Sequence, residues 1–218
     1  MGKISLITKE QQSILDEVKQ NDSLTSQFYF TGGTALSVVY FQHRYSEDLD
    51  FFSSTKFEQQ QVFAYIEEWS KNHHFTFTAR FVEVVYIFHL TFPNKIPLKV
   101  DFGYYPYKRV EKGTKIDALE VDSLTDIAVN KLFTISQRSE VKDFVDLYFL
   151  LQKFSLWDLV YGVKVKFNIS IEPFLLSADL LKVEDFDYLP KMIKPLTLKT
   201  LKEFFREKAK EIGRKSIE

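Results

Sequence analysis

Hydrophobic and polar positions alternate with two different periods along this chain. Apolar residues recur at helical spacing in residues 8–20 and 55–71, whereas short runs of β-branched and aromatic residues between 75 and 102 indicate three largely antiparallel strands. The pattern therefore predicts an α/β (α+β) fold over residues 1–153, with a mixed β-sheet flanked by helices, and a helical C-terminal part over residues 154–218. Further helices are expected at 122–135, 138–151, 157–167, 172–181 and 198–212.

The segment 28–53 carries the densest candidate chemistry. It combines a short apolar run, a glycine turn, an apolar stripe typical of a short helix and a second apolar run that Asp48 and Asp50 enter. Side chains alternate between the two faces of a strand, so both carboxylates are expected to point the same way. Such carboxylates repel each other unless a cation lies between them, and hard oxygen ligands suit Mg²⁺. The pair therefore predicts a magnesium site, with Mn²⁺ as an alternative ion.

Gly32, Gly33 and Thr34 predict a phosphate site beside these carboxylates. Glycine permits positive φ and close approach of a ligand to the backbone, and the first amides of a helix starting near Thr34 are unpaired donors that favour an anion. An NTP bound between these amides and a carboxylate-held metal is the expected arrangement. The alternative is an ordinary glycine turn followed by a strand whose two aspartates face water.

Two stretches resemble the signature of the AbiEii/AbiGii toxin family of nucleotidyltransferase-like proteins, which includes the MenT toxins. They are GGTAL at 32–36 and HRYSEDLDFF at 43–52, and the resemblance extends to the Lys-Asp-x-x-Asp-Leu block at 142–147. Thr34 stands where nucleotidyltransferases generally have serine, and it keeps the hydroxyl. The resemblance implies a nucleotidyltransferase-like fold, transfer of a nucleotide from an NTP, and a nucleotide-binding role for Arg44. It also implies the toxin of a toxin–antitoxin or phage-defence pair, some relatives adding nucleotides to the 3′ end of tRNA.

Asp101 is the expected third carboxylate. It lies in an apolar run whose alternation puts Lys99 and Asp101 on one face. The resemblance implies an acidic residue on the strand beside the one that holds Asp48 and Asp50, and Asp101 matches it in type and context. Three carboxylates would hold two cations for nucleotidyl transfer. The alternative is a solvent-facing Lys–Asp pair on an edge strand.

The predicted helix 122–135 places Lys131 within an apolar stripe. A lysine that faces inward needs a carboxylate or phosphate partner, so Lys131 is predicted to contact the triphosphate, with an ordinary salt bridge as the alternative. In the next helix Asp143 and Asp146 lie three residues apart, and they could orient Lys131 or Arg138, or one could act as general base. Asp146, flanked by apolar residues, is the predicted catalytic member, and Arg138 and Asp143 join the nucleotide-binding set.

Two basic segments are candidate RNA contacts. The loop 103–115 interleaves tyrosine with lysine and arginine, which suits base stacking and phosphate contact, although an ordinary packed loop is the simpler interpretation. Residues 191–215 carry many lysines and arginines with only three glutamates and could guide an RNA along its phosphates. The alternative for this segment is a well-solvated helix.

Composition narrows the choice of partners. The formal net charge of −1 creates no global field for nucleic acid, so any such partner must be held by a local patch. The absence of cysteine excludes disulfides, a thiol nucleophile and cysteine-based zinc sites. No apolar signal segment and no run long enough to span a membrane is found, so a cytoplasmic protein without a membrane partner is expected.

Residues and resemblance together predict a metal-dependent nucleotidyltransferase that transfers NMP from an NTP to an RNA such as the 3′ end of tRNA, with a cognate antitoxin as a further partner. One alternative is a non-catalytic nucleotide- or RNA-binding module of the same fold, favoured if Asp101 faces away from Asp48 and Asp50. The other is a small-molecule nucleotidyltransferase, favoured by an enclosed acidic acceptor pocket over an open basic groove.

Overall fold

The computed structural model describes residues 6–215, which form two compact units. The first unit contains the described residues up to 40 together with 46–108 and 112–123, and the second contains 41–45, 109–111 and the described residues from 124 onward. The predicted boundary between residues 153 and 154 falls inside the second unit. Residues 1–5 and 216–218, at the ends of the two predicted parts, lie outside the described residues.

The first unit is built on a seven-stranded mixed sheet. Its strands are β1 (Tyr29–Thr31), β2 (Leu49–Ser53), β3 (Thr76–Val82), β4 (Val85–Thr91), β5 (Leu98–Tyr104), β6 (Thr114–Ile116) and β7 (Leu119–Val121). They are arranged in the order β3-β4-β5-β2-β1-β7-β6. β3, β4 and β5 form the predicted antiparallel meander, and β2 pairs in parallel with β5 and antiparallel with β1. The mixed sheet is thus as predicted, whereas the short strands β6 and β7 were not.

Four helices accompany this sheet: α1 (Lys9–Gln20), α2 (Asp22–Gln27), α3 (Gly32–Ala35) and α4 (Gln59–His73). α1 begins at a capping box formed by Thr8 and Gln11, and α3 continues as a π-helix over Leu36–Phe41. One face of the sheet is apolar in its middle, because alternate residues of β2, β4 and β5, among them Phe51, Phe88 and Phe102, are buried. On that face Phe63 of α4 contacts the rings of Phe77 and Phe88.

The second unit is helical. Its helices are α5 (Leu124–Gln137), α6 (Val141–Leu150), α7 (Leu156–Phe167), α8 (Pro173–Leu181) and α9 (Leu198–Lys215), with a 3₁₀ turn at Lys182–Asp185. Each helix predicted from the sequence is present, with ends shifted by a few residues. Phe144 of α6 packs edge-on against Phe186 and Phe205, so the helices on both sides of residue 153 share one core. The division of the chain into two domains at residue 153 stays a prediction.

A short excursion of the chain, residues 41–45, belongs to this helical unit. The carbonyl of His43 accepts hydrogen bonds from the amides of Ile193 and Lys194, and the amide of Tyr45 donates to the carbonyl of Lys191. Backbone pairing therefore fixes the segment that contains Arg44. Within residues 6–215, no helix has the length and apolar character needed to cross a membrane.

Candidate active site

Asp50 and Asp101 lie opposite each other on the parallel strands β2 and β5. Residues in register on neighbouring strands present their side chains on the same face, and the strands are about 4.8 Å apart, so these carboxylates are neighbours. The pKa of Asp101 is raised, first by burial and further by the charge of Asp48, which is therefore within electrostatic reach. Asp101 thus does not face away from the other two aspartates. The alternative of a non-catalytic binding module would be favoured by an Asp101 that did face away from them.

Asp101 is a buried carboxylate with one oxygen engaged. The residue is 8% exposed, and Nζ of Lys99 lies 2.5 Å from its Oδ2. The other oxygen, Oδ1, is buried and accepts no hydrogen bond from any described residue. The Lys–Asp pair considered from the sequence thus exists, but it lies beside Asp50 in the middle of the sheet rather than on an edge strand.

These residues fit a divalent cation in their chemistry. A buried carboxylate oxygen without a donor is costly unless a cation or water satisfies it, and a second carboxylate stands on the adjacent strand. Among the described residues, no three histidine, aspartate or glutamate side chains converge closely enough to hold an ion in this structure. Metal binding by Asp48, Asp50 and Asp101 therefore stays a prediction.

The glycine turn contacts both Asp50, which lies on β2, and Asp48, which lies one residue before β2 begins. Gly32 has a φ of 75°, and a Cβ atom at this position would stand 2.0 Å from Oδ2 of Asp50. The hydroxyl of Thr34 donates a hydrogen bond to the carbonyl of Asp48. Gly33 follows Gly32 in the first turn of α3. The turn and the two aspartates thus lie next to each other, and their joint role in binding a nucleotide stays a prediction.

Asp146 is the centre of a separate buried cluster in the helical unit. Its side chain is fully buried, and both of its oxygens are engaged by Arg44, whose Nε lies 2.6 Å from Oδ1 and whose Nη2 lies 2.8 Å from Oδ2. Nε2 of His43 lies 2.7 Å from Oδ1, and Nζ of Lys131 lies 2.6 Å from Oδ2. Burial opposes the charged form, but Lys131, Arg44 and His43 outweigh it and hold the pKa of Asp146 well below its usual value.

Asp143 ties two further cations into the same cluster. Its oxygens accept from Nζ of Lys131 at 2.8 Å and from Nε and Nη2 of Arg138 at 2.8 and 3.1 Å. Burial raises its pKa, but Lys131 and Arg138 outweigh this effect, so the pKa of Asp143 is lowered. The expectation that the two acids orient Lys131 or Arg138 matches this geometry. Arg138 alone of the cluster's cations is widely exposed, with 48% of its side chain accessible.

The geometry bears on the two roles predicted for this cluster, catalysis by Asp146 and contact of Lys131 with a triphosphate. Asp146 has no exposed surface, and a carboxylate in bonds to three cationic or donor groups is poorly placed to take a proton from a substrate. The geometry favours a positioning role for Asp146. Lys131 is in a salt bridge, as its alternative interpretation supposed, and its contact with a triphosphate stays a prediction.

The two candidate RNA segments are largely engaged within the protein. In the loop 103–115, the Tyr105 ring lies 5.1 Å from that of Phe52, and the Tyr107 ring packs edge-on against Tyr105. In α9, lysine and arginine side chains pair with nearby glutamates, in Lys199–Glu203, Arg206–Glu184, Lys208–Glu211 and Lys210–Glu207. The packed loop and the solvated helix are the interpretations that these contacts support.

Two residues of these clusters were not assigned a role from the sequence. His43 stands in the motif that includes Arg44, but nothing in a sequence shows that its ring reaches a residue 103 positions later. Strand alternation does place Lys99 on the same face as Asp101, but it gives Lys99 no function.

A mixed sheet that holds aspartates on neighbouring strands beside a glycine turn is characteristic of the nucleotidyltransferase fold. Solved structures show the same fold: JHP933 from Helicobacter pylori has a TM-score of 0.59 at 21% identity and covers 96% of this chain and 94% of its own. The nucleotidyltransferase toxin MenT4 from Mycobacterium tuberculosis has a TM-score of 0.54 at 17% identity, over 92% of this chain and 82% of its own.

The chain belongs to the AbiEii family. Residues 13–216 match the family described as nucleotidyl transferase AbiEii toxin, Type IV TA system. An uncharacterized protein of Aquifex aeolicus is 31% identical over 213 residues, covering 94% of this chain and 97% of its own. The resemblance inferred from the motifs is thereby confirmed, and family and fold together support a transferase.

Proposed function

We propose that this protein is a metal-dependent nucleotidyltransferase that transfers NMP from an NTP to an RNA acceptor. The observation that carries the proposal is the pairing of Asp50 with Asp101 across β2 and β5, with Gly32 packed against Asp50. A lone Asp-x-Asp would be a weak indication of catalysis, whereas a third carboxylate in register on the next strand supplies the ligand that a two-metal site requires.

In the first unit, Asp48, Asp50 and Asp101 would hold Mg²⁺ or Mn²⁺. When bound, these ions supply the charge that activates the acceptor hydroxyl and offsets the leaving pyrophosphate. Gly32 and Gly33 lie where backbone amides can approach the phosphates without a side chain in the way. Thr34, through its hydrogen bond to the carbonyl of Asp48, fixes the strand entry and hence the direction of the first carboxylate.

In the second unit, Lys131 and Arg138 are the proposed phosphate-binding cations. Lys131 contacts both Asp143 and Asp146, whereas Arg138, which contacts Asp143 and Glu140, exposes 48% of its side chain. Arg44, Asp143 and Asp146 would serve by holding the two cations in place. Because its carboxylates are engaged by cations and its exposed member is an arginine, this cluster is proposed to bind an anion rather than to move a proton.

The biological role rests on the family. Members described as AbiEii toxins of Type IV toxin–antitoxin systems, and the MenT4 toxin of the same fold, support a toxin whose activity is countered by an antitoxin. We propose a cytoplasmic toxin with an RNA acceptor, such as the 3′ end of tRNA. Labelling of a small molecule instead of RNA would contradict this choice of acceptor.

The proposal is tested by incubating each labelled NTP and Mg²⁺ with total tRNA and other small RNAs. Wild type should label RNA from one or more NTPs, and an Asp48→Ala, Asp50→Ala double variant should not. Asp187→Ala, a change at an exposed aspartate, is the matched control and should label RNA like wild type. If wild type binds NTP with Mg²⁺ by calorimetry yet labels no RNA, RNA-directed transfer is wrong.

A further inference from the structure

The sheet face that carries Asp50 and Asp101 continues across β4 and β3. Asp101 is in register with Ile87 of β4, and Ile87 with Arg80 of β3. Two residues before Asp101 on β5, Lys99 is in register with His89 of β4. Residues in register share a face, and so do residues two apart on one strand. Lys99, His89 and Arg80, which we name the cationic row, therefore lie on the same face as the catalytic aspartates.

This face is polar and open at β3. Six of the seven residues of β3 are exposed, Arg80 among them, and the side chain of Lys99 is 29% exposed. The opposite face is the one covered by α4, through Phe63 against Phe77 and Phe88. The cationic row thus points away from α4, on the side where a substrate reaches the carboxylates.

Arg80 differs from the cations of α9. It forms no ion pair with any residue in the described part of the chain, whereas Arg206 is bound by Glu184 and Lys210 by Glu207. An exposed arginine without a carboxylate partner keeps its full donor set for a ligand. Arginine is also the side chain that best matches phosphate geometry.

An RNA acceptor is repelled electrostatically by the aspartates of this site. Its hydroxyl must come to Asp101, yet three aspartates repel the phosphates that precede that hydroxyl. Cations on the adjoining strands would offset the repulsion without occupying the metal-binding oxygens of Asp48 and Asp50.

We propose that the cationic row binds the phosphates of a single-stranded RNA acceptor and leads its 3′ end across β3 and β4 to Asp101. This inference rests on the proposed function, because it locates the acceptor of that same reaction. Arg80 and His89 make the outer contacts, and Lys99 makes the contact nearest the reacting hydroxyl. The face binds backbone phosphates, so it holds RNA without reading its sequence.

The test measures binding of a fluorescein-labelled single-stranded RNA by anisotropy at several salt concentrations, without NTP or metal. Arg80→Gln and His89→Gln together should weaken binding about tenfold. Arg80→Gln alone should reduce the slope of log K against log salt by about 0.7, the amount expected for one lost phosphate contact on a single strand. In transfer assays the double variant should show a higher KM for RNA, with a smaller change in kcat.

Lys115→Gln is the matched control, because Lys115 is an exposed cation on β6 at the opposite edge of the same sheet. Lys115→Gln should leave the affinity for RNA and the salt slope unchanged. Arg80→Lys, which keeps the positive charge, should retain most of the binding. NTP affinity should be equal in all variants, which shows that the fold and the nucleotide site persist.

The outcomes separate this inference from the proposed function. If the double variant binds RNA like Lys115→Gln while wild type still labels RNA, the proposal that the cationic row binds RNA is wrong. Arg80 would then only protect an edge strand from pairing, and the proposed nucleotidyltransferase activity would be unaffected. If wild type neither binds nor labels RNA, the RNA acceptor and the row are both wrong.

Discussion

Gly32 and Asp50 approach so closely that a Cβ atom at position 32 would stand 2.0 Å from Oδ2 of the carboxylate. Gly32 also has a φ of 75°, in the left-handed region that L side chains rarely adopt. Glycine is therefore required for two independent reasons, backbone conformation and space. The same turn is packed against the aspartate that lies in register with Asp101, so its shape sets where that carboxylate points.

Gly32→Ala is expected to destabilise the protein by about 2 to 5 kcal/mol, the sum of left-handed strain and overpacking against Asp50. It should also abolish most nucleotide transfer, because the displaced carboxylate is a proposed metal ligand. Urea unfolding followed by circular dichroism measures the first effect, and the labelling assay the second.

Gly213→Ala provides the control for that substitution. Apart from its chain neighbours and the backbone of its own helix, no atom of the described residues lies within 4 Å of a Cβ at position 213, which belongs to α9. Alanine there should stabilise the helix by about 0.5 to 1 kcal/mol and leave transfer unchanged. Equal stability of Gly32→Ala and wild type would contradict the close approach to Asp50.

Asp101→Asn is expected to gain stability relative to wild type as pH rises, although it loses activity. The folded-state pKa of Asp101 is raised, mainly by burial, so the folded protein holds this proton more tightly than the unfolded chain. The contribution of Asp101 is therefore fully present below the unfolded pKa of about 3.9 and is lost as pH rises through the folded pKa. Relative to wild type, Asp101→Asn should become more stable as pH increases from 4 to 8.

Urea unfolding of both proteins across this pH range measures the difference. Transfer by Asp101→Asn at pH 7.5 should fall by at least about 100-fold, since even outer-shell partners of a metal cost 10- to 100-fold. If the difference in unfolding free energy does not move with pH, burial does not raise the pKa of Asp101.

Local patterns were enough to predict the strands and helices that frame the site. Period-two alternation placed Asp48 with Asp50 and Lys99 with Asp101, and the structure shows Asp101 in register with Asp50. What alternation cannot give is the pairing partner of a strand, because register is set by contacts between distant segments. The short strands β6 and β7 were missed for a related reason, since three residues are too few to show a period.

The buried cluster around Asp146 could be predicted only in part. Helical spacing places Lys131 inward and puts Asp143 close to Asp146, which suggests a salt bridge or a site. The two residues that complete the cluster, His43 and Arg44, come from a segment about 100 positions earlier in the chain. The backbone pairing of that segment with residues 191–194 is a tertiary contact without a local signal.

Asp146→Asn is expected to destabilise the protein by about 3 to 5 kcal/mol, because it leaves the buried charges of Arg44 and Lys131 without a full partner. The pKa of Asp146 lies well below its usual value, so its contribution is present above the unfolded pKa of about 3.9 and is lost as pH falls toward the folded pKa. The cost of the substitution should therefore shrink below pH 4.

Urea unfolding between pH 3 and pH 8 measures this dependence, with Asp187→Asn as the control at an exposed aspartate. The control should change stability by no more than about 0.5 kcal/mol at any pH. A cost below about 1 kcal/mol for Asp146→Asn at pH 7 would show that the cluster is not held together by this carboxylate.

His43 is expected to remain neutral in the folded protein at a pH where an ordinary histidine is charged. Its ring is fully buried, and its pKa is lowered by burial, which outweighs the opposing effect of Asp146. Because an ionised carboxylate only accepts hydrogen bonds, Nε2 carries the proton toward Asp146, and Nδ1 has no partner among the described residues. A lowered folded pKa means that this stability is present above the unfolded pKa of about 6.5 and is lost as pH falls.

Nitrogen-15 NMR of the imidazole at pH 6 should accordingly show the neutral tautomer with the proton on Nε2. His43→Gln, which can still donate to Asp146, should lose less stability than wild type between pH 7 and pH 5. Protonation of both ring nitrogens at pH 6 would contradict the assignment, and would mean that Asp146 attracts a full positive charge at His43 in addition to those of Arg44 and Lys131.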